Sequence, residues 1–339
     1  MAFLSRFFSN DIGIDLGTAN TLIYVKGEGI VLNEPTIVTR HIMTKKIIAV
    51  GMEAKEMVGR ENSEIQTIRP LKDGVIADFE VTEEMIRLFI RKVQSSKFLI
   101  RPRIVVSVPS GSTEVERRAV RNSCERVGAR EVYLVSEPMA AAIGIGLPVE
   151  QAVGSMVIDV GGGTTEIAVI ALSGVVTADS IRIAGDEMDL SITEWMRKKY
   201  NLLIGPRNAE QLKFSIGSAM ALDPEEEAPV KGRDLVAAIP KTLMVDSREI
   251  REALSDPVDQ IVAGVRRALE RTPPELAADI LDRVMVLSGG GGKLRGLRER
   301  LIEATSLPTF LDTEDPLSAV VRGNAKVLDE FDRYQKVLF

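Results

Sequence analysis

The chain has 339 residues, of which 45% are hydrophobic and 4% are aromatic, which is enough for about two domains with buried cores. Lys and Arg number 43 against 49 Asp and Glu, and the net charge of −6 argues against bulk electrostatic binding of nucleic acid. The single cysteine, Cys124, excludes an internal disulfide, and the single histidine, His41, excludes multi-histidine zinc sites and any Ser/His/Asp triad without it.

The N-terminal segment MAFLSRFFSN is apolar, but it is too short for a signal peptide and lacks a small-residue cleavage site. A helical wheel places four large side chains on one face, which predicts contact with a membrane surface: Phe3, Leu4, Phe7 and Phe8. On a bilayer each could contribute about 1.5–3 kcal/mol before ordering costs, so one chain should bind weakly and a polymer by avidity. Alternatively, these residues cover the edge of a core. A second candidate is SKFLIRPR, where Phe98 and Leu99 lie between basic residues.

The first half of the chain alternates strand-like and helix-like segments. DIGIDLG and NTLIYVKG predict a hairpin around the turn LGTAN, and His41 marks a turn or strand end before the strand KKIIAVG. VTEEMIRLFIRKV predicts a helix, because its apolar residues recur at i, i+3, i+4 and i+7. After the strand RIVVSVP, Thr113 and Glu116 predict a capping box for a helix that ends near Gly128. EVYLVSEP then predicts a strand that leads into the helix PMAAAIGIGL.

The second half restarts with SMVIDVGGGTTEIAVIAL, which again predicts a strand, a glycine turn and a strand. Helix starts are predicted at Asp256 with Pro257 and at Thr272 with Pro273, since proline favours the first helical position. VMVLSGGGGKLRGLRERL predicts a strand, a turn and a helix. Residues 221–234, ALDPEEEAPVKGRD, are interpreted as an exposed acidic loop.

One acidic, glycine-rich turn occurs twice. IDLGTAN contains Asp15 and IDVGGGTTE contains Asp159, each after an apolar run and before glycine and hydroxyl-bearing residues. The repeat predicts two α/β halves with a cleft between them, where ligands of open α/β sheets bind. Glycine turns let backbone N–H groups approach a phosphate, and Thr18, Thr164 and Thr165 add hydroxyl donors. An aspartate beside a phosphate is explained if a hydrated Mg²⁺ lies between them. A single turn of this kind would be an ordinary hairpin, but two in the same context favour a clamp on a polyphosphate.

A third glycine cluster, SGGGGKLRG, is not a P-loop, because Leu287 and Leu294 stand where that motif needs glycine and Ser or Thr. We interpret it as a strand-to-helix turn on which a flat base or a ribose can lie. No G-x-G-x-x-G occurs at residues 27–32 or 161–166, which disfavours a dinucleotide site.

The order of these motifs resembles the actin, Hsp70 and sugar-kinase superfamily, and within it the MreB family of bacterial actin-like proteins. NEPTIV, RPLKDGVIADFEVTEEMI, VPSGSTEVERRA, EPMAAAIG and DPLSAVVRGNAKVL carry the resemblance, which runs from about residue 10 to the end. It implies an actin-like (ribonuclease H-like) duplicated α/β fold, with a small subdomain inserted in each half and a nucleotide cleft between the halves. The implied bounds are 1–31, 72–143 and 316–339 for the first core, 32–71 for its small subdomain, 144–179 and 248–315 for the second core, and 180–247 for its small subdomain.

The resemblance also implies a function, that of a slow ATPase with ATP and Mg²⁺ as cofactors. It would form membrane-associated filaments that organise cell-wall synthesis and set rod shape. The implied partners are other copies of the chain in paired protofilaments, the inner face of the cell membrane, and wall-elongation proteins such as MreC, MreD and RodZ. The alternative is an Hsp70-like or sugar-kinase-like ATPase. The first would need a further substrate-binding region, and the second a polar pocket with a base, which nothing in the sequence marks.

The resemblance assigns roles to individual residues. Glu137, helped by Thr164, would orient the attacking water, and Asp15 and Asp159 would hold metal-bound waters. Thr18, Ala19 and Asn20 would meet the phosphates from one side, and Gly161, Gly162, Gly163 and Thr164 from the other. Glu210 and Lys213 would flank the nucleoside, with Gly289, Gly290, Gly291 and Gly292 beneath it and Lys293 beside them. The family usually has GGGA followed by an apolar residue, and this chain departs from that pattern at Gly292 and Lys293. The residues alone leave other interpretations open: Glu137 as a helix-start charge, and Glu210 with Lys213 as a surface ion pair.

Overall fold

The computed structural model describes residues 11–93, 101–312 and 314–339. Its strands are β1 Ile12–Leu16, β2 Asn20–Val25, β3 Gly29–Pro35, β4 Val38–His41, β5 Ile47–Val50, β6 Ile65–Ile68, β7 Leu71–Lys72, β8 Val75–Ile76, β9 Arg103–Val108, β10 Glu131–Ser136, β11 Ser155–Val160, β12 Thr165–Ala171, β13 Gly174–Ile181, β14 Leu202–Leu203, β15 Glu227–Asp234, β16 Pro240–Asp246, β17 Met285–Ser288 and β18 Thr309–Leu311. The α-helices are α1 Met52–Met57, α2 Phe79–Val93, α3 Glu114–Arg126, α4 Glu137–Ile145, α5 Gly185–Tyr200, α6 Pro206–Ile216, α7 Ser247–Glu270, α8 Pro274–Asp282, α9 Leu297–Thr305, α10 Ala319–Asp329 and α11 Phe331–Tyr334.

Two five-stranded sheets repeat the same topology. The first has the order β10-β9-β1-β2-β3 and the second the order β18-β17-β11-β12-β13. In each sheet the first strand in sequence lies in the middle, with two strands reached through antiparallel hairpins on one side and two parallel strands on the other. The internal repeat predicted from the two acidic turns is therefore a repeat of whole sheets.

A smaller sheet accompanies each large one. The sheet of order β5-β4-β6, with α1, follows β3 in the first half. The sheet of order β14-β15-β16 belongs to the second half, where β14 lies between α5 and α6 and the strands β15 and β16 follow α6. The predicted bounds of the subdomains remain a prediction. The bound between residues 31 and 32 falls inside β3, which pairs with β2 of the large sheet.

The two halves share a core that is built around a close helix crossing. One buried cluster combines residues of β9 and β10 with residues of β11 and β12, and α4 and α10 lie in it. A Cβ on Gly323 of α10 would overlap the carbonyl oxygen of Ala140 in α4, and one on Gly144 would overlap the carbonyl oxygen of Ala319. Glycine lets the helix backbones touch here, so the helices join the halves without intervening side chains.

Several local predictions are confirmed. The hairpin of β1 and β2 surrounds the LGTAN turn, and β4 ends at His41. Thr113 and Glu116 form the predicted capping box of α3, in which the Glu116 N–H donates to Thr113 Oγ1 and the Thr113 N–H donates to Glu116 Oε2.

Three local predictions are wrong. α7 begins at Ser247, capped by Asp246 and Glu249, and Pro257 lies inside it, because its long buried face outweighs the local cost of a proline. α8 begins at Pro274 without a side-chain cap, and Thr272 Oγ1 instead donates to the Ala268 carbonyl oxygen. The predicted acidic loop at 221–234 contains β15, which pairs with β16 from Glu227 to Arg233 and with β14 at its end.

Candidate functional site

A cavity of about 560 Å³ lies between the two halves, at the carboxyl ends of β1 and β11. Asp15 of β1 and Asp159 of β11 both line it. The other predicted residues that line it are Thr18, Ala19, Asn20, Glu137, Gly161, Gly162, Gly163, Thr164, Glu210, Lys213, Gly289, Gly290, Gly291 and Lys293. The fold therefore brings together three glycine-rich turns that are far apart in the sequence.

The two acidic turns touch each other. A Cβ on Gly163 would lie 2.8 Å from Thr18 Oγ1, and a Cβ on Gly162 would overlap Ala19. Thr18 Oγ1 also accepts a hydrogen bond from the Gly74 N–H, at 3.1 Å. Larger residues at either glycine would separate the halves, so the short turns are required for the close approach.

The paired aspartates are buried and each accepts a hydrogen bond from a serine. Ser107 Oγ donates to Asp15 Oδ1 at 3.2 Å, and Ser288 Oγ donates to Asp159 Oδ1 at 2.7 Å. Burial raises the pKa of Asp15 to about 7, and the negative charge of Asp159 adds to that rise. Burial also raises the pKa of Asp159 to about 6. Two buried carboxyl groups that oppose each other's ionisation form a site that a cation would stabilise.

Glu137 is the first residue of α4, and its side chain is buried rather than exposed. Burial raises its pKa well above the ordinary range, and the negative charges of Glu166, Asp15 and Asp159 add to the effect. Glu137 thus stands at a helix start, as its alternative interpretation requires, and its carboxyl group also lines the cavity.

Glu210 and Lys213 do not form the ion pair that was the alternative interpretation of their spacing. The Lys55 Nζ donates to Glu210 Oε1 at 3.0 Å, so Glu210 binds the opposite half of the molecule. Lys213 Nζ lies 2.9 Å from Asp189 Oδ1 and donates to the Gly185 carbonyl oxygen at 2.8 Å. Each side chain is thus held by a long-range partner beside the cavity.

The third glycine turn enters the cavity only in part. Gly292 does not line it, because the position of a Cβ on Gly292 faces Leu287 Cγ at 3.2 Å, inside the core. Gly292 thus lies behind the cavity lining, while Gly289, Gly290 and Gly291 face the cavity, and the contact of this turn with a nucleotide stays a prediction. The Lys293 side chain is 58% exposed at the rim, and its Nζ lies 3.6 Å from Asp315 Oδ1.

Sequence reasoning missed several residues around the site. Glu166, only 1% exposed, accepts hydrogen bonds from the Ser110 N–H at 3.1 Å and from Ser180 Oγ. Its place in the IDVGGGTTE motif could have identified it. Burial raises the pKa of Asp189 to about 6, although the Lys213 charge opposes the rise. The serine partners of the aspartates lie on β9 and β17, and no local pattern distinguishes them.

The carboxyl groups at the cavity fit a magnesium ion bound mainly by nucleotide and water better than a metal ion coordinated only by protein side chains. Within 11–93, 101–312 and 314–339, no cluster of three or more His, Cys, Asp or Glu side chains could hold a metal ion. Mg²⁺ usually keeps several waters and binds through one or two carboxylates and substrate phosphates. The buried pair Asp15 and Asp159 matches that requirement.

The predicted membrane residues lie outside the described part of the chain: Phe3, Leu4, Phe7, Phe8, Phe98 and Leu99. None of the helices in the described part is both long enough and apolar enough to cross a bilayer.

Comparison with known proteins identifies the family. The family described as MreB/Mbl protein matches residues 9–336. The chain belongs to the MreB/Mbl family. It is 53% identical over 337 residues to the cell shape-determining protein MreB of Escherichia coli K12, covering 98% of this chain and 97% of that one. It is 46% identical over 329 residues to the cell shape-determining protein Mbl of Bacillus subtilis 168, covering 97% and 98% of the two chains.

Solved structures of similar proteins support the assignment to this family. MreB5 of Spiroplasma citri bound to ADP matches with a TM-score of 0.91 and 36% identity, over 96% of this chain and 98% of that one. The MamK double helical filament matches with a TM-score of 0.78 and 22% identity, over 94% of this chain and 98% of that one. At this identity the match supports the fold alone. The predicted actin-like fold and the resemblance to the MreB family are confirmed. As a member of the MreB/Mbl family, the chain is a cell shape-determining protein of the actin-like cytoskeleton, and the Hsp70-like and sugar-kinase-like alternatives are not favoured.

Proposed function

We propose that this MreB/Mbl protein binds one Mg·ATP between its halves and hydrolyses it slowly to ADP and phosphate during filament assembly. The observation that carries the proposal is the contact of two glycine turns, one from each half, beside the paired carboxyl groups of Asp15 and Asp159. The relative MreB5 of Spiroplasma citri has been solved bound to ADP and to AMPPNP, which supports a nucleotide as the ligand.

The two turns would hold the phosphates through backbone N–H groups and hydroxyls. Residues 18–20 would approach from the first half, and residues 161–164 from the second. Thr18 and Thr164 would each add one hydroxyl donor. Because donors come from both halves, the bound polyphosphate would stabilise their closed arrangement by binding it preferentially.

Asp15 and Asp159 would hold the metal through bound waters. Mg²⁺, when bound, would neutralise the negative charge that develops on the phosphate oxygens in the transition state. The two carboxyl groups would ionise more readily beside that charge, since an adjacent cation lowers the pKa of a carboxyl group.

Glu137 would orient the attacking water, with the Thr164 hydroxyl as a second contact. Burial raises the pKa of Glu137, which makes its ionised carboxylate a stronger base than the carboxylate of an exposed glutamate. Phosphoryl transfer depends on positioning and charge neutralisation more than on covalent chemistry, so one well-placed carboxylate suffices for this role.

The nucleoside would lie between the second-half residues and the third turn. Glu210 and Lys213 would flank it, with Gly289, Gly290 and Gly291 beneath and Lys293 at the rim. Glu210 is also bound by Lys55, and Arg69 Nη1 lies 3.1 Å from Asp186 Oδ1. These two ion pairs join the first half to the second beside the cavity, so nucleotide entry would compete with them.

Family membership supports the proposal of filaments, and the N-terminal sequence supports the proposal of their location on a membrane. Copies of the chain would assemble into paired protofilaments on the inner face of the cell membrane. The apolar residues Phe3, Leu4, Phe7 and Phe8, with Phe98 and Leu99 as a second element, would contact the lipid. Wall-elongation proteins such as MreC, MreD and RodZ would be the partners, and no nucleic acid is expected.

Sedimentation tests this proposal. The full chain with Mg·ATP should pellet as filaments, and without nucleotide it should stay in the supernatant. Added liposomes should pellet with the filaments of the full chain. A variant that lacks residues 1–9 should retain ATP-dependent pelleting but lose most of the bound lipid. Pelleting that is independent of nucleotide would contradict the ATPase proposal, and undiminished lipid binding by the shortened chain would contradict the role of the N-terminal segment.

A further inference from the structure

Two serines occupy equivalent positions in the two repeated sheets. In the first sheet β1 pairs with β9 in parallel, and Asp15 lies opposite Ser107. In the second sheet β11 pairs with β17 in parallel, and Asp159 lies opposite Ser288. Each serine therefore lies on the strand next to its aspartate, directly opposite it in the pairing register, near the carboxyl ends of the two strands.

Both serines are buried and direct their hydroxyl groups at the aspartates. Ser107 is 1% exposed and Ser288 is 0% exposed. Each hydroxyl donates to the Oδ1 atom of its aspartate, at 3.2 Å in the first half and 2.7 Å in the second. A carboxylate with one oxygen fixed by a donor has a defined orientation, and its Oδ2 atom can serve another ligand.

The first serine is itself held in place. Asn324 Nδ2, on α10, donates to Ser107 Oγ at 3.3 Å and to the Ile14 carbonyl oxygen at 2.9 Å. Asn324 is fully buried, and it reaches Ser107 from the helix that joins the two halves. The orientation of Asp15 thus depends on two side chains in series, Ser107 and Asn324, whereas Asp159 depends on one shorter hydrogen bond from Ser288.

We propose that Ser107 and Ser288 are positioning residues that orient Asp15 and Asp159 toward the water shell of the nucleotide-bound magnesium. This inference rests on the proposed nucleotide function. Hydrogen-bond partners of metal-binding carboxylates typically change metal affinity by about 10–100-fold when they are removed. Each half would thus offer the metal one carboxylate that is oriented by a serine on the neighbouring strand.

The test is the Mg²⁺ dependence of nucleotide binding by the full chain, measured with a fluorescent ADP analogue. Ser107→Ala and Ser288→Ala should each raise the Mg²⁺ concentration for half-maximal binding by about 10-fold, and the double variant should raise it further. The shorter hydrogen bond predicts the larger effect for Ser288→Ala. Ser288→Thr, which keeps the hydroxyl group, should restore most of the wild-type dependence.

Ser123→Ala is the matched control, because Ser123 is also buried but lies on α3, away from the cavity. Its Mg²⁺ dependence should equal that of the wild type. Binding in excess EDTA should be the same for all variants, since the serines act through the metal.

Two results would overturn the inference. One is an unchanged Mg²⁺ dependence in both alanine variants, and the other is an equal loss of binding with and without metal, which would indicate general structural damage. A wild-type chain that binds no nucleotide under any condition would contradict the proposed function itself, and the inference with it.

Discussion

Replacement of Glu137 by glutamine is expected to slow ATP hydrolysis by about 10²–10⁴-fold while nucleotide binding persists. Glutamine keeps the shape of the side chain but cannot accept a proton from water. Glu137 is 8% exposed at the cavity, where burial and three neighbouring carboxyl groups raise its pKa. Nucleotide affinity should stay equal or rise slightly, because the substitution removes a potential negative charge that faces the phosphates.

Phosphate release in a single turnover, measured beside nucleotide affinity, separates the two effects. Glu114→Gln is the matched control, because Glu114 begins α3 as Glu137 begins α4, but its side chain is exposed. Both variants lose a helix-start charge worth about 0.3–1 kcal/mol of stability. Only Glu137→Gln should lose hydrolysis. Wild-type hydrolysis by Glu137→Gln would refute the assigned role.

Replacement of Gly323 by alanine should destabilise the whole protein by about 3 kcal/mol, at the upper end of the usual cost of overpacking. The added Cβ would overlap the Ala140 carbonyl oxygen, and both partners belong to helix backbones, so no side-chain rotation relieves the clash. α4 and α10 would have to move apart. Both helices pack in the core that the two sheets share. Because their separation would move the halves apart, the cavity should widen and nucleotide affinity should fall as well.

Urea unfolding, with and without nucleotide, measures this effect. Gly205→Ala is the control, because a Cβ there meets nothing within 4 Å, and its stability should change by less than about 0.5 kcal/mol. If Gly323→Ala unfolds at the wild-type urea concentration, the close helix crossing does not limit stability.

The sequence allowed prediction of features that depend on local pattern or on repetition. The hairpin around LGTAN and the capping box of Thr113 and Glu116 need only neighbouring residues, and both are present. The repeated Asp-Gly turns predicted a duplicated fold, because a strand that ends in the same motif twice implies equivalent positions in two sheets. The resemblance to the MreB family then supplied the order of the elements.

Features set by distant partners could not be predicted in this way. Pro257 suggested a helix start, but the helix continues through it because its buried face packs along the second sheet. Glu210 pairs with Lys55, which is 155 residues away in the sequence, rather than with nearby Lys213. Gly292 belongs to a glycine run whose last member turns toward Leu287 in the core. In each case a tertiary contact overrides the local pattern.

The most direct measurement is a crystal structure of the full chain with Mg²⁺ and AMPPNP. We expect one nucleotide per chain, with its phosphates between residues 18–20 and residues 161–164 and with metal-bound waters on Asp15 and Asp159. A nucleotide bound elsewhere, or phosphates that contact only one of the two turns, would contradict the conclusion that both halves close on a single magnesium nucleotide.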